Sequence, residues 1–372
     1  MLKIKFRFTS DHKDGFKPIG TLTNLYLDVT NRCNFNCRYC FNFDNIKESK
    51  IDLPISIIKK ILSDDEVPKI SNWILSGGEP LLYPDLDEAL DLFKQMNIGP
   101  KIATNGTLLT PYVADKLVSL GVASVQFSLN TLDKNKFVEL SNGTPDHLNK
   151  IITNLSYVVK LPLRKVVASV LTKINLPDIY ELMLFLFNIG VDSYTVYLFT
   201  PGADLISMRD YMVDFDDIPN IIDKLIDHYY QICNTGIIDT NIFHILKTPI
   251  YEKWNSKLDL RMHGCSAGNM TLSVKTNGKV SPCLCQSSDE FICGDITDSN
   301  LSSIWNSQKL KNYLNIYNRI PECGTCEHLS SCRGGCRSNA YVFGNNGLNS
   351  FDPLCKSFHI YNSASVAANY ER

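Results

Sequence analysis

Between Asn24 and about Thr200, short apolar, β-branched runs alternate with longer segments of helical period, and this rhythm constrains the fold more than any other feature. The strand candidates are NLYLDVT (24–30), ISNWILS (70–76), KIAT (101–104), ASVQFSL (123–129), KVVASVL (165–171) and SYTVYLF (193–199). Between them LPISIIKKILSDD, PDLDEALDLFKQM, TPYVADKLVSLG and LPDIYELMLFLFNIG carry the helical pattern, several opening on Pro and closing on Gly. Strand–helix units in such a row predict an α/β fold, a parallel sheet covered by helices. A ligand site in such a sheet lies at the C-terminal ends of the strands, where the βα loops gather.

The rhythm stops near Pro201–Gly202. A helical stretch follows over about 218–233, then a Cys- and Gly-rich region from His263 to Cys355. That region contains MTLSVKTNGKVSPC, a hairpin pattern turning at Asn277–Gly278. The expected organisation is an N-terminal extension (1–23), the strand–helix domain (24–205), a helical linker (206–262), a small cysteine-rich α+β domain (263–360) and a tail (361–372).

Charge and hydropathy narrow the partners. Lys plus Arg (37) nearly balance Asp plus Glu (39), and no basic run is present to track a phosphate backbone, so nucleic acid is not expected. No run approaches the roughly 20 apolar residues of a membrane span, and the N-terminus has no secretory pattern, so a soluble cytoplasmic protein with no membrane partner is expected. The cytosol keeps thiols reduced, which makes metal binding or chemistry the expected use of thirteen cysteines.

Their spacing supports metal. Directly after the first strand candidate stand Cys33, Cys37 and Cys40, a C-x3-C-x2-C loop that chance produces in only ~0.015 chains of this composition. Structural zinc favours four ligands, and no His lies nearby to complete the set. Three thiolates suit three irons of a cubane cluster, leaving the fourth iron free for another ligand. In the C-terminal region Cys265 precedes Gly278 and Cys283, and Cys323, Cys326, Cys332 and Cys336 follow at C-x2-C-x5-C-x3-C, with Cys355 after a gap. A zinc ribbon is the rival reading of that block.

With Ser76-Gly77-Gly78-Glu79-Pro80 after the second strand, the triplet resembles the radical SAM superfamily, whose motif follows the first strand of a partial (β/α)6 barrel. The seven C-terminal cysteines resemble the SPASM pattern. The resemblance implies three 4Fe-4S clusters, one catalytic and two auxiliary, and S-adenosylmethionine (SAM) chelated to the open iron. It also implies SAM contacts from Tyr39, Gly77, Gly78, Glu79, Thr104, Asn105, Ser128 and Asn130. Where relatives often carry an Arg-Gly, this chain has Ser141-Asn142-Gly143. Lys173 and Asn175 match a Lys-x-Asn often seen after strand five.

By the same resemblance Cys323, Cys326, Cys332 and Cys355 hold one auxiliary cluster and Cys265, Cys283 and Cys336 the other. A fourth ligand for the latter is open between Cys285, the preferred candidate, and Cys293. Cys233 reads as a small buried hydrophobe, and Asp214, Asp216 and Asp217 as a solvated loop.

Such enzymes mostly modify peptides or proteins, so an oxidative maturase acting on a ribosomally made peptide is expected. The rivals are an anaerobic sulfatase-maturating enzyme, a small-molecule dehydrogenase or epimerase, and a metal-stabilised protein that only binds SAM. Expected partners are a peptide or protein substrate, an electron donor such as flavodoxin or ferredoxin, and a separate leader-peptide recognition protein. The last follows from the 23 residues before the first strand candidate, too few for a recognition domain.

Overall fold

A computed structural model describes residues 3–7, 21–42, 50–199, 210–234, 237–240, 249–262, 265–286, 288–326 and 329–356. Its strands are β1 (Lys3–Arg7), β2 (Asn24–Thr30), β3 (Asn72–Gly77), β4 (Lys101–Thr104), β5 (Ser124–Ser128), β6 (Arg164–Leu171), β7 (Ser193–Leu198), β8 (Ile237–Thr240), β9 (Asp259–Met262), β10 (Thr271–Val274), β11 (Lys279–Ser281) and β12 (Gly294–Asp295). The helices relevant here are α1 (Ile55–Leu62), α2 (Leu86–Gln95), α3 (Pro111–Ser119), α4 (Lys134–Ser141), α5 (Pro145–Val158), α6 (Ile179–Ile189) and α7 (Ile218–Cys233).

The described residues form two compact units, one from 18–169 with 266–313, the other from 1–17, 170–265 and 314–372. In the first, β2 to β6 pair in parallel, in sequence order. All seven residues of β2 are buried, as a strand with both faces covered requires. The helices present one apolar face to this sheet. Leu86, Ala89, Leu90 and Phe93 of α2 follow the i, i+3, i+4, i+7 stripe, and Phe93 meets Trp73 of β3 edge-on at 5.3 Å. Pro111 and Pro145 open α3 and α5 at the first turn, where the missing N–H costs nothing.

The cysteine-rich region adds to this sheet. β10 runs parallel to β2 in register from Thr271↔Asn24 to Val274↔Leu27, and β11 and β12 continue it antiparallel. The hairpin expected over 270–283 is present, with Gly278 at φ +81°, a conformation glycine adopts without strain.

In the second unit, β7, β1, β8 and β9 form a parallel sheet in that order. β1 comes from the segment read as an extension, and β8 and β9 from the stretch expected to be helical. Each is only four or five residues long and has no periodic flanks, so pairing with neighbours, not local propensity, makes it a strand. α6 and α7 appear as expected, α6 closing on Gly190 at φ +84°. Among the described residues no helix is long and apolar enough to cross a membrane.

Candidate functional site

The Cys33–Cys40 loop leaves the C-terminal end of β2 and is gripped by three neighbouring elements. From the turn after β3, Gly78 N donates to Thr30 O and Glu79 N to Arg32 O, both at 2.7 Å. From the end of β4, Asn105 Nδ2 donates to Asn34 Oδ1 at 2.7 Å, while Asn34 Nδ2 donates to Thr107 Oγ1 at 2.8 Å. From α4, Leu140 O accepts from Arg38 N, and Asn142 Nδ2 donates to Asn36 O at 2.6 Å. Asn142, at φ +53°, thus anchors the cysteine loop in the stretch where the resembling family often places its Arg-Gly.

This grip explains the glycine pair. A Cβ on Gly77 would collide with Thr30 O and one on Gly78 with Arg32 O, and Gly77 sits at φ +119°. Both glycines therefore let the turn after β3 lie against the cysteine loop, backbone to backbone.

Glu79 is fully buried and braces the same corner. Its Oε1 accepts from Thr104 Oγ1 (2.8 Å) and Leu81 N (3.1 Å), and its Oε2 from Asn105 N (2.8 Å). Burial pushes its carboxyl up to about 7 despite these donors. Thr104 and Asn105 are thereby fixed at the end of β4.

Burial likewise pushes Cys33 up to about 11, Cys37 to about 12 and Cys40 further. Cys37 and Cys33 are near enough to disfavour the Cys40 thiolate, so the three thiols share one neighbourhood. The Tyr39 hydroxyl donates to Cys37 and accepts from Asn130; burial first, then the Cys37 thiol, raises it well above its ordinary range. Beside them opens a pocket lined by Phe35, Tyr39, Asn105, Ser128, Asn130, Thr131, Phe137, Leu140 and Ser141. Four of the sequence-predicted contacts, Tyr39, Asn105, Ser128 and Asn130, line it together. Gly77, Gly78, Glu79 and Thr104 build the corner that holds the cysteine loop.

In the second unit, Cys323, Cys326, Cys332 and Cys355 are neighbours. Burial raises Cys332 and Cys355 each to about 12, with Asp352 and the surrounding thiols adding to it. Asp352 is itself buried and accepts from Cys336 N (2.7 Å) and Leu354 N (3.1 Å). Arg337 is buried too and donates to Ser350 O (2.8 Å) and Leu348 O (3.0 Å), closing the loop that carries Asp352. Cys265 lies in this unit close enough to Arg333 to favour its charge.

Cys283 and Cys285 belong to the first unit. Their thiols are hydrogen-bonded, which together with burial raises Cys283 well above its ordinary value. Cys293 instead turns its thiol to Val280 O at 3.2 Å. Lys173 pairs with exposed Asp214 at 3.1 Å, and buried Asn175 accepts from Thr172 N and donates to Val170 O, holding its own loop.

Sequence reasoning passed over two further residues, Asp28 and Lys275. Asp28 is 1% exposed and Lys275 7% exposed, and they form an ion pair at 3.2 Å between β2 and the end of β10. The signal was present: a charge within the continuous apolar runs NLYLDVT and TLSVK is one that burial must pair.

Comparison with known proteins agrees with this geometry. The model of the radical SAM superfamily matches residues 27–186, and that of an iron–sulfur cluster-binding domain, SPASM, matches 265–327. The two spans together exceed half of the chain. Mycofactocin maturase MftC of Mycobacterium tuberculosis is 26% identical over 338 residues, 90% of this chain and 83% of its own. An AdoMet-dependent heme synthase of Methanosarcina barkeri is 26% identical over 335 residues, 85% of this chain and 91% of its own. Streptococcus suis SuiB, solved bound to its precursor peptide SuiA, superposes with a TM-score of 0.70 at 20% identity, covering 91% of this chain and 77% of SuiB.

Proposed function

The chain belongs to the radical SAM superfamily and carries a SPASM domain, and from that premise we propose that it abstracts hydrogen from a peptide substrate, matured oxidatively by crosslinking or a related step. The family implies iron–sulfur clusters and SAM. When bound, they supply the 5′-deoxyadenosyl radical that reductive cleavage of SAM releases. The reading assigns Cys33, Cys37 and Cys40 to the catalytic cluster. It assigns SAM to the adjoining pocket, with Tyr39, Ser128, Asn130 and Asn105 around it and Gly77, Gly78, Glu79 and Thr104 supporting the loop. The observation that carries it is three half-buried, neighbouring thiols on one clamped loop beside a pocket lined by aromatic, hydroxyl and amide groups. The peptide substrate is supported by the kinship with a maturase and the fold shared with a protein solved on a precursor peptide.

Losing two hydrogens from a peptide yields two electrons, and the radical accepts only one, with its hydrogen atom. An auxiliary cluster is the natural acceptor for the other. The neighbouring thiols of Cys323, Cys326, Cys332 and Cys355 suit one such cluster. Cys265, Cys283 and Cys336 are assigned to a second, with Cys285 as its fourth ligand, because its thiol meets that of Cys283 whereas Cys293 faces a strand carbonyl. Cys285→Ala is therefore expected to alter the electron paramagnetic resonance (EPR) spectrum of this cluster and lower iron content, and Cys293→Ala to leave both unchanged. The reverse pattern refutes the assignment.

The decisive experiment incubates the anaerobically reconstituted chain with SAM, a one-electron reductant such as reduced flavodoxin, and short peptides encoded beside its gene. The expected products are 5′-deoxyadenosine and a peptide two hydrogens lighter. The full-length similarity to a heme synthase supports a second reading, a small-molecule substrate. Turnover of a tetrapyrrole or other small molecule, with every peptide unchanged, would favour it.

A further inference from the structure

Asp28 and Lys275 are charged side chains 2% and 8% exposed, a burial that costs several kcal/mol per ion unless partners compensate. Both are well supplied. Ser76 Oγ donates to Asp28 Oδ1 at 2.7 Å, Lys275 Nζ donates to Asp28 Oδ2 at 3.2 Å, and the same ammonium donates to Leu284 O at 2.8 Å. The register Val274↔Leu27 brings Lys275 alongside Asp28, so strand pairing itself sets the contact.

The position of the pair is more telling than its strength. Leu284 lies between Cys283 and Cys285, so the ammonium sits against the backbone of that cysteine pair. The carboxylate belongs to the other loop: Asp28 stands on β2 just before the Cys33 loop, and Ser76, which donates to it, leads straight into the turn whose Gly78 N and Glu79 N donate to Thr30 O and Arg32 O. One buried dipole therefore runs from the catalytic cysteine loop, at its negative end, to the Cys283–Cys285 loop, at its positive end.

We infer that the Asp28–Lys275 pair separates the reduction potentials of the two clusters, Lys275 raising that of the auxiliary cluster at Cys283 and Asp28 lowering that of the catalytic cluster at Cys40. The inference rests on the cluster assignments proposed above. Its physical basis is general. Reduction adds an electron to the cluster, which a nearby cation stabilises and a nearby anion opposes, and burial weakens the screening. A strong reductant and a ready acceptor are the combination that an oxidative radical enzyme needs, and one ion pair biases both.

The test compares the reconstituted wild type with Asp28→Asn/Lys275→Met and Lys275→Arg. Iron and sulfide content, circular dichroism and EPR-monitored redox titration are the readouts, the catalytic cluster being identified by its spectral change on adding SAM. The double variant removes both charges at once, so neither is left buried alone. It is expected to keep wild-type iron and fold. Its auxiliary potential should fall enough for a tenfold change in the reduced-to-oxidised ratio, about 59 mV for one electron, while its catalytic potential rises. Lys275→Arg should keep the wild-type values. Unchanged potentials in a fully loaded double variant overturn the inference, as does loss of iron from that variant, which would make the pair a support for the cysteine loops. A wild type that forms no auxiliary cluster at Cys283 overturns the underlying assignment and the inference with it.

Discussion

Changing Cys33, Cys37 or Cys40 to alanine is expected to abolish 5′-deoxyadenosine formation while leaving the fold intact. The loop does not depend on metal for its course, because Thr30 O, Arg32 O, Asn34, Asn36 O and Arg38 N are all held by β3, β4 and α4. A single thiol is a small side chain in a loop already fixed, so circular dichroism should not change. On the proposed assignment, what is lost is one of the three ligands to the catalytic cluster, about four irons per chain by assay if the cubane fails to assemble, and with it the iron site proposed to take SAM. Continued SAM cleavage by such a variant is the result that refutes the assignment.

Glu79 carries the second large effect, and its sign depends on pH. Its carboxyl titrates near 7 when folded against about 4.5 when unfolded, so between those values the native state binds the additional proton. Stability from this group is fully present below pH 4.5 and is lost as pH rises through 7, about 3 kcal/mol in all. Urea unfolding of the metal-free chain should show this slope. Glu79→Gln, which stays neutral, should flatten it. Glu79→Ala is expected to cost roughly 3 kcal/mol at pH 5, because the Thr104 hydroxyl and the N–H groups of Leu81 and Asn105 lose their acceptor in a dry corner. A slope of the same size in Glu79→Gln would show that another group titrates.

The strands from β2 to β7 were legible because each is a short apolar-rich segment bounded by turns, β2 buried along its whole length and β4 and β5 alternating buried with partly exposed positions. β1, β8 and β9 were not, since a strand of four or five mixed residues takes its state from its partner. The site divided the same way. Cysteine spacing is local and survives in one dimension, whereas the choice between Cys285 and Cys293 depends on where two thiols point. The Asp28–Lys275 contact joins residues 247 apart, and no local pattern specifies such a partner. The close approach of Gly77 and Gly78 to Thr30 O and Arg32 O is likewise a contact between segments about 47 residues apart that local sequence does not specify.

The pairing of β10 with β2 has a consequence during synthesis. Until about residue 274 has left the ribosome, β2, with Leu25, Leu27 and Val29 along it, presents a row of unpaired N–H and C=O groups to whatever strand is near. At 5–20 residues per second the interval is on the order of 10–50 s. The nascent chain carries an open sheet edge through this time, and the hairpin that eventually covers it also bears Lys275 and precedes Cys283. A chain truncated before β10 would thus keep β2 open permanently. The C-terminal region then serves the N-terminal half first as a strand cap, and that half is not a separable folding unit.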